Sequence, residues 1–327
     1  MKKFGNLFAA MCFAGLSATS AFADGECDGK RFVFFPGGPE GGTFASVVYN
    51  GAVMAAEHTG CSIEYVWSDW NSEKMVRQFS EAIARRPDGI AVMGHPGEAA
   101  LGPLIEQARE SGILVTTQNV DLPTYEGRYV ADGFGYVGSK NYTSGRNLAS
   151  GMLQSCGLAS GDKVFVWGLL SMEQRGLRTS GAIEVLEEAG IEVDYLEINP
   201  DISKDASQGI PVFAAYSAAN PDMKGVITDH GALTALLPAY LNAAGREPGE
   251  ICSAGFDLSA ATAQGIEDGF ITMVLDQQPF LQGYLPIVQM FLSTKYGFAG
   301  MNIDTGAAMI TKSNVGPVTE LAAQAIR

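Results

Sequence analysis

The side chains best suited to chemistry in this 327-residue sequence stand just after short apolar runs. After the first run come Glu40, Thr43 and Phe44, after the second Asp69, Trp70 and Asn71, after the third His95, and after the fourth Gln118 and Asn119. Farther along stand Arg175 and Arg178, the pair Asp229-His230, Asp257, and the pair Asp276-Gln277. Carboxylates, amides and guanidinium groups satisfy hydroxyls, which both donate and accept, and aromatic rings cover C–H faces. The set suits a neutral polyhydroxylated ligand held in a cleft.

Other chemistries fit less well. Two carboxylates facing a cleft could hydrolyse a glycosidic bond, but a binding site uses the same acids to accept hydroxyl hydrogens, so a carbohydrate-active enzyme is the alternative class. His95 and His230 with one nearby Asp make a minimal metal set, and neither metal nor cofactor is expected. The turn at 37–42 lacks the Gly-Lys-Ser/Thr ending of a phosphate-binding loop, and Pro36 and Pro39 remove backbone donors. Trp67 and Trp167 read as core residues. Trp70, between Asp69 and Asn71, reads as a ring at the cleft.

The elements that must position these residues alternate. Apolar runs at 32–35, 63–67, 89–93 and 113–117 read as strands, separated by helices at 43–58, at 71–85, and around Leu101, Leu104, Ile105 and Ala108. A second cycle follows: helix 141–156, strand 164–167, helix 177–189, strand 191–198, helix 203–219, strand 226–228, helix 232–244, strand 251–256 and a helix ending near Asp268. Strand 271–275 and an apolar helix at 285–296, which could cross back to the first half, complete the order. Strands apolar throughout and alternating with helices indicate parallel sheets covered on both faces. The fold class is therefore α/β, with two doubly wound parallel-sheet lobes. No Pro-, Ser- or Gly-rich tether separates them, so a hinge of several crossovers is expected. Ligands of open α/β sheets bind beyond the carboxyl ends of the strands, where the chemically capable residues stand.

The first 23 residues read as a leader: Lys2 and Lys3, an apolar stretch from Phe4 to Leu16, and Ala21-Phe22-Ala23 for cleavage after Ala23. Its removal would take the net charge from −15 to −17, since it holds two lysines and no acid. Such a charge disfavours nucleic acid and anionic membrane surfaces as partners. No later run reaches the length of a membrane span. Four cysteines remain beyond Cys12 in an oxidising compartment, where pairing is expected. Cys27 and Cys61 precede neighbouring strands at one sheet edge, and Cys156 and Cys252 share the corresponding edge of the second half, so the expected pairs are Cys27–Cys61 and Cys156–Cys252.

The order of elements, with Gly138-Ser139-Lys140-Asn141-Tyr142, Arg178-Thr179-Ser180-Gly181, Gly255-Phe256-Asp257 and Asp276-Gln277-Gln278-Pro279, resembles the periplasmic sugar-binding proteins typified by ribose-binding protein. The resemblance implies the type I periplasmic binding fold, two Rossmann-like lobes closing on one sugar. It implies lobes of 24–138 plus about 279–305 and of 139–278 plus about 306–327. It also implies a monomer that delivers a monosaccharide or sugar alcohol to the permease of an ABC transporter, with a chemoreceptor as a further partner of some members. A furanose-type signalling molecule or nucleoside is the alternative ligand. By this likeness Phe44 matches a stacking aromatic, Asn119 falls where an Asp commonly binds sugar hydroxyls, Ser139 stands at the first crossover, Arg178 matches the sugar-binding Arg, Asp257 matches the Asp that closes over the sugar, and Gln277 sits at the second crossover. Thr43, Trp70 and His230 complete the expected ligand set. His230 stands where ribose binders usually have Asn, and Val120 where they often have Arg, which points away from ribose itself.

Overall fold

The computed structural model describes Cys27 and residues 29–327, so the expected leader lies outside the described residues. Twelve strands among them form two six-stranded sheets. The first contains β1 (Arg31–Phe34), β2 (Ser62–Tyr65), β3 (Gly89–Met93), β4 (Leu114–Gln118), β5 (Tyr136–Gly138) and β11 (Asn302–Asp304), in the order β11-β5-β4-β3-β1-β2. The second contains β6 (Lys163–Gly168), β7 (Glu192–Glu197), β8 (Met223–Thr228), β9 (Cys252–Phe256), β10 (Met273–Asp276) and β12 (Ala308–Thr311), in the order β12-β10-β9-β8-β6-β7. Every pairing is parallel except β10 with β12. In each sheet the order reverses between the first strand and the third, β1/β3 and β6/β8. This switch opens a crevice at the carboxyl ends of the strands.

The helices are α1 (Thr43–Thr59), α2 (Ser72–Ala84), α3 (Glu98–Glu110), α4 (Pro123–Tyr129), α5 (Asn141–Cys156), α6 (Leu177–Glu188), α7 (Pro200–Lys204), α8 (Gly209–Ala219), α9 (Gly231–Ala235), α10 (Leu237–Ala243), α11 (Ala260–Glu267), α12 (Pro279–Tyr296) and α13 (Gly316–Ala323). Around the first sheet, Val48 and Ala52 of α1 join Ile287 and Met290 of α12 in one apolar core with Phe32, Phe34, Ile90 and Val92. The second sheet carries one apolar cluster around Trp167, Phe213 and Tyr240 and another around Leu148, Val166 and Phe256. The chain passes between the sheets after β5, after β10 and between β11 and β12.

Several expected elements differ in detail. Strands β2 and β7 alternate exposed and half-buried residues because they are sheet edges, covered on one face only. The expected helix at 203–219 divides into α7, a 3-10 turn (Ala206–Gln208) and α8. The helix at 232–244 breaks at Leu236, because Pro238 has no N–H to bond back to Thr234 O and is tolerated only in the first turn of the new helix α10. Helix α12 begins at Pro279, six residues before the expected start, because a proline in the first turn gives up no helical hydrogen bond. The first sheet also gains β5, β11 and the short α4, and the antiparallel β12 was not expected. Trp67 is half-buried against Tyr49 instead of lying in the core, whereas Trp167 is fully buried.

Disulfides join Cys27 to Cys61 (Cα–Cα 4.9 Å) and Cys156 to Cys252 (Cα–Cα 6.0 Å), the pairs the strand-edge argument predicts. Both lie at the amino-terminal edges of the sheets. An open cavity lined by Cys156, Cys252, Lys224 and Lys312 lies at the same edge of the second sheet, and another, lined by Arg109, Ile113 and Asp132, at that edge of the first.

Candidate functional site

At the first switch point the aromatic side is built from three loops. Trp70 follows β2 and takes a left-handed backbone (φ 56°), and its N–H donates to Gly37 O at 3.0 Å. The indole lies so close to the turn after β1 that a Cβ on Gly38 would stand 2.7 Å from it, which explains the glycine there. Phe44, in the first turn of α1, tilts against Trp70 with ring centroids 5.8 Å apart, and the His95 ring, after β3, lies 5.4 Å from that of Trp70. Thr43, beside Phe44, is exposed.

The second switch point supplies charge. Arg178 is 1% exposed, with its Nε donating to Asn141 Oδ1 at 2.8 Å and its guanidinium 4.6 Å from the centroid of the Phe256 ring. Gly145 lets α5 and α6 meet backbone to backbone there: an added Cβ would lie 1.8 Å from Arg178 O. Arg175 donates to Asp229 Oδ2 at 3.3 Å and to Asp229 O at 2.9 Å. Asp229 Oδ2 also accepts from the Thr179 hydroxyl and from Leu169 N.

These contacts set the protonation states. Burial alone would raise the Asp229 carboxyl, but the Arg175 and Arg178 charges and the Thr179 hydroxyl hold it below its ordinary value. Burial, followed by the Arg175 charge, brings His230 down to about 4. His95 is likewise held well below its ordinary value, by burial first and then by Arg175 and Arg178, so both imidazoles are neutral at pH 7. Burial pushes Asp257 up to about 6 against the pull of Arg178 and the Gln277 amide. Arg178 itself comes down to about 9 through burial and the nearby Arg175.

The crossovers supply a third wall. Gln277, after β10, donates from Nε2 to Asp257 Oδ1 at 2.7 Å. Its Oε1 accepts from Asn119 Nδ2 (3.3 Å), Ser139 Oγ (3.4 Å) and Gln282 Nε2 (3.3 Å). Asn119, Asp257 and Gln278 all take left-handed backbones, at φ 66°, 74° and 52°. Such strain is held only where surrounding contacts over-determine it. Among the described residues, His95 Nδ1, Asn141 Nδ2 and Asp229 Oδ1 are buried side-chain atoms without a hydrogen-bond partner. All three residues lie around Arg178: Asn141 is bonded to it, and His95 and Asp229 are within its electrostatic reach. Among the described residues no three His, Cys, Asp or Glu side chains form a metal-holding group.

The sequence-derived set thus gathers into three groups: Phe44 with Trp70, Arg178 near His230 and Asp257, and Asn119 with Ser139 and Gln277. Thr43 makes no side-chain hydrogen bond among the described residues. Four further residues enter the site. His95 and Asp229 belong to the strand-end positions without being singled out there, and Asn141 was legible only as part of the motif at 138–142. Gln282 had a signal in Pro279, which opens the helix on whose first turn Gln282 lies.

Residues 32–293 match the family described as a periplasmic binding protein domain. The chain belongs to that family. Within it, the chain is similar to the xylose/arabinose-binding protein XylF of Sulfolobus acidocaldarius, with 28% identity over 282 residues, covering 79% of this chain and 65% of the relative. The match therefore spans less than two thirds of that curated protein. A carbohydrate transporter of Acidothermus cellulolyticus 11B, solved with myo-inositol, has a TM-score of 0.78 at 24% identity and covers 91% of this chain and 100% of its own. An ABC transporter solute-binding protein of Burkholderia graminis C4D1M, solved with D-arabinose, has a TM-score of 0.76 at 25% identity, covering 88% and 97%. As in other periplasmic binding protein domains, two parallel-dominated α/β sheets with helices make up two lobes.

Proposed function

We propose that this protein captures a neutral monosaccharide or sugar alcohol between two closing lobes and delivers it to the permease of an ABC transporter. The lobes are 24–138 with about 279–305, and 139–278 with about 306–327. The observation that carries the reading is the set of unpaired buried polar atoms around Arg178, His95 Nδ1, Asn141 Nδ2 and Asp229 Oδ1, joined to the aromatic pair Phe44 and Trp70 through His95, whose ring lies 5.4 Å from that of Trp70. A buried polar atom left unpaired costs ~1–3 kcal/mol, so a ligand whose hydroxyls donate and accept recovers that cost, and its C–H face covers the rings. Asn119, Ser139, Arg178, His230, Asp257 and Gln277 supply the remaining polar contacts, with Thr43 at the rim.

Capture is a population shift: the ligand favours the closed arrangement because both lobes bond to it only there. No bond is made or broken, and the carboxylates accept hydroxyl hydrogens without acting as acid or nucleophile. Family membership supports a periplasmic or extracellular site of action, reached with cleavage after Ala23. The relatives solved with myo-inositol and D-arabinose support a polyol or sugar as ligand. A thermal-shift panel of monosaccharides, sugar alcohols, nucleosides and amino acids tests the reading, since a native-state ligand raises the melting temperature by mass action. At least one carbohydrate is expected to do so with one-to-one stoichiometry. A shift with a nucleoside or amino acid and none with any carbohydrate would overturn it.

A further inference from the structure

The buried amides of the crossovers form a chain whose direction is fixed at both ends. At one end the Asp257 carboxylate only accepts, so Gln277 must turn its Nε2 toward it, at 2.7 Å. At the other end Gln277 O, a backbone carbonyl, also only accepts, so Gln282 must turn its Nε2 there, at 2.9 Å. The same Nε2 reaches Thr305 Oγ1 at 3.2 Å and Gln277 Oε1 at 3.3 Å. Gln282 Oε1 is then left to accept from Asn119 Nδ2 at 3.0 Å. Gln282 is completely buried, lies on α12, and bonds to residues of all three crossovers' surroundings: Asn119 after β4, Gln277 after β10 and Thr305 after β11.

From this directionality we infer that Gln282 is a positioning residue that locks the Gln277 side-chain amide with its donor toward Asp257, so that Asp257 meets a ligand hydroxyl as a charged acceptor. The inference rests on the proposed reading of the crevice and adds a residue that touches no ligand. Without Gln282, the Gln277 amide can rotate by half a turn and present Oε1 to Asp257, an arrangement that only a protonated carboxyl tolerates. The charged groups that act on Asp257 are Arg178 and Arg175, after β6, and Asp276 on β10, which Arg327 pairs at 2.7 Å. None of them changes in a Gln282 variant, so a shift in Asp257 titration reports on the amide.

The test is Gln282→Met, which keeps the volume and removes the donor. Carbon-detected NMR titration of the Asp257 carboxyl in the intact, unliganded protein is expected to show its midpoint rising by about one pH unit, tenfold in proton affinity. Thr305→Val, which removes one anchor of Gln282 and nothing from the ligand set, is expected to shift it the same way by less. Unchanged midpoints in both variants would overturn the inference. Should Gln282→Met fail to fold, Thr305→Val decides alone. Because the titration needs no ligand, its outcome stands apart from the carbohydrate panel: a wild type that binds no sugar refutes the crevice reading and leaves this readout intact.

Discussion

Arg178 is the residue at which stability and binding should pull in opposite directions. Its pKa is held down from 12.5 to about 9, first by burial and then by Arg175. At 1.36 kcal/mol per pH unit this corresponds to ~5 kcal/mol against keeping the charge in the folded protein at pH 7. The sign follows from proton binding: between the two values the unfolded chain holds the proton and the folded chain does not, so this group destabilises at neutral pH and the penalty fades as pH rises through that range. Arg178→Met removes the charge and leaves an apolar body against Phe256. Against the gain stand the Asn141 Oδ1 acceptor, which loses its donor at 2.8 Å, and Asp257, which loses a neutralising charge. Those losses offset ~2–4 kcal/mol, leaving a net gain of ~1–3 kcal/mol. At about 2–4 °C per kcal/mol, the unliganded variant should melt roughly 2–12 °C above wild type. Sugar affinity should fall roughly 10- to 150-fold, the equivalent of one charge-assisted hydrogen bond at ~1.5–3 kcal/mol. Differential scanning fluorimetry and calorimetry on the same preparations check both. A folded variant that melts below wild type refutes the desolvation argument, and one that binds as wild type does removes Arg178 from the site.

Two further outcomes follow from the site and the disulfides. Because Asp257 is raised to about 6 and must be ionised to accept, sugar affinity should weaken as pH falls below 6, and Asp257→Asn should flatten that dependence; calorimetry from pH 5 to 8 measures it, and a flat wild-type profile refutes the role. Replacing both partners by Ser should cost ~4–5 kcal/mol for the Cys156–Cys252 loop of 96 residues and somewhat less, ~3–4 kcal/mol, for the Cys27–Cys61 loop of 34, with little change in affinity; denaturant unfolding that reverses this order counts against a loop-entropy origin.

What the sequence made legible was whatever local pattern fixes. The fully apolar 89–93 run became β3 with the expected bounds, because a central parallel strand is buried on both faces. Asn119 and Ser139 converge because β4 and β5 are adjacent and their carboxyl ends must lie together, and Gln277 joins them because it stands where the chain crosses back between the sheets after β10. Gln282 escaped because its role depends on the direction of four hydrogen bonds, which no periodicity encodes. Asn141 escaped because it looks like an ordinary residue at a helix start, until the close approach of α5 and α6 at Gly145 brings Arg178 onto it. The antiparallel β12 escaped because its three half-buried residues and the buried Ile310 make an apolar run too short to mark a strand.

The interleaving of the two sheets bears on how the chain can be made. The first core is sealed by α12 and the first sheet edged by β11, while the second sheet ends in β12 with α13 following, and all of these lie between residues 279 and 323. Synthesised from the amino end, the growing polypeptide has therefore written out most of the second lobe before it can finish the first. Until the last fifty or so residues appear, α1 has no partner for the face that Ile287 and Met290 will cover. Contacts between distant segments form late and carry a large loop-closure cost, so folding in order of emergence is closed to this topology. The nascent chain therefore carries an open first core until it is nearly complete, a condition that suits a polypeptide still to be threaded through a membrane pore.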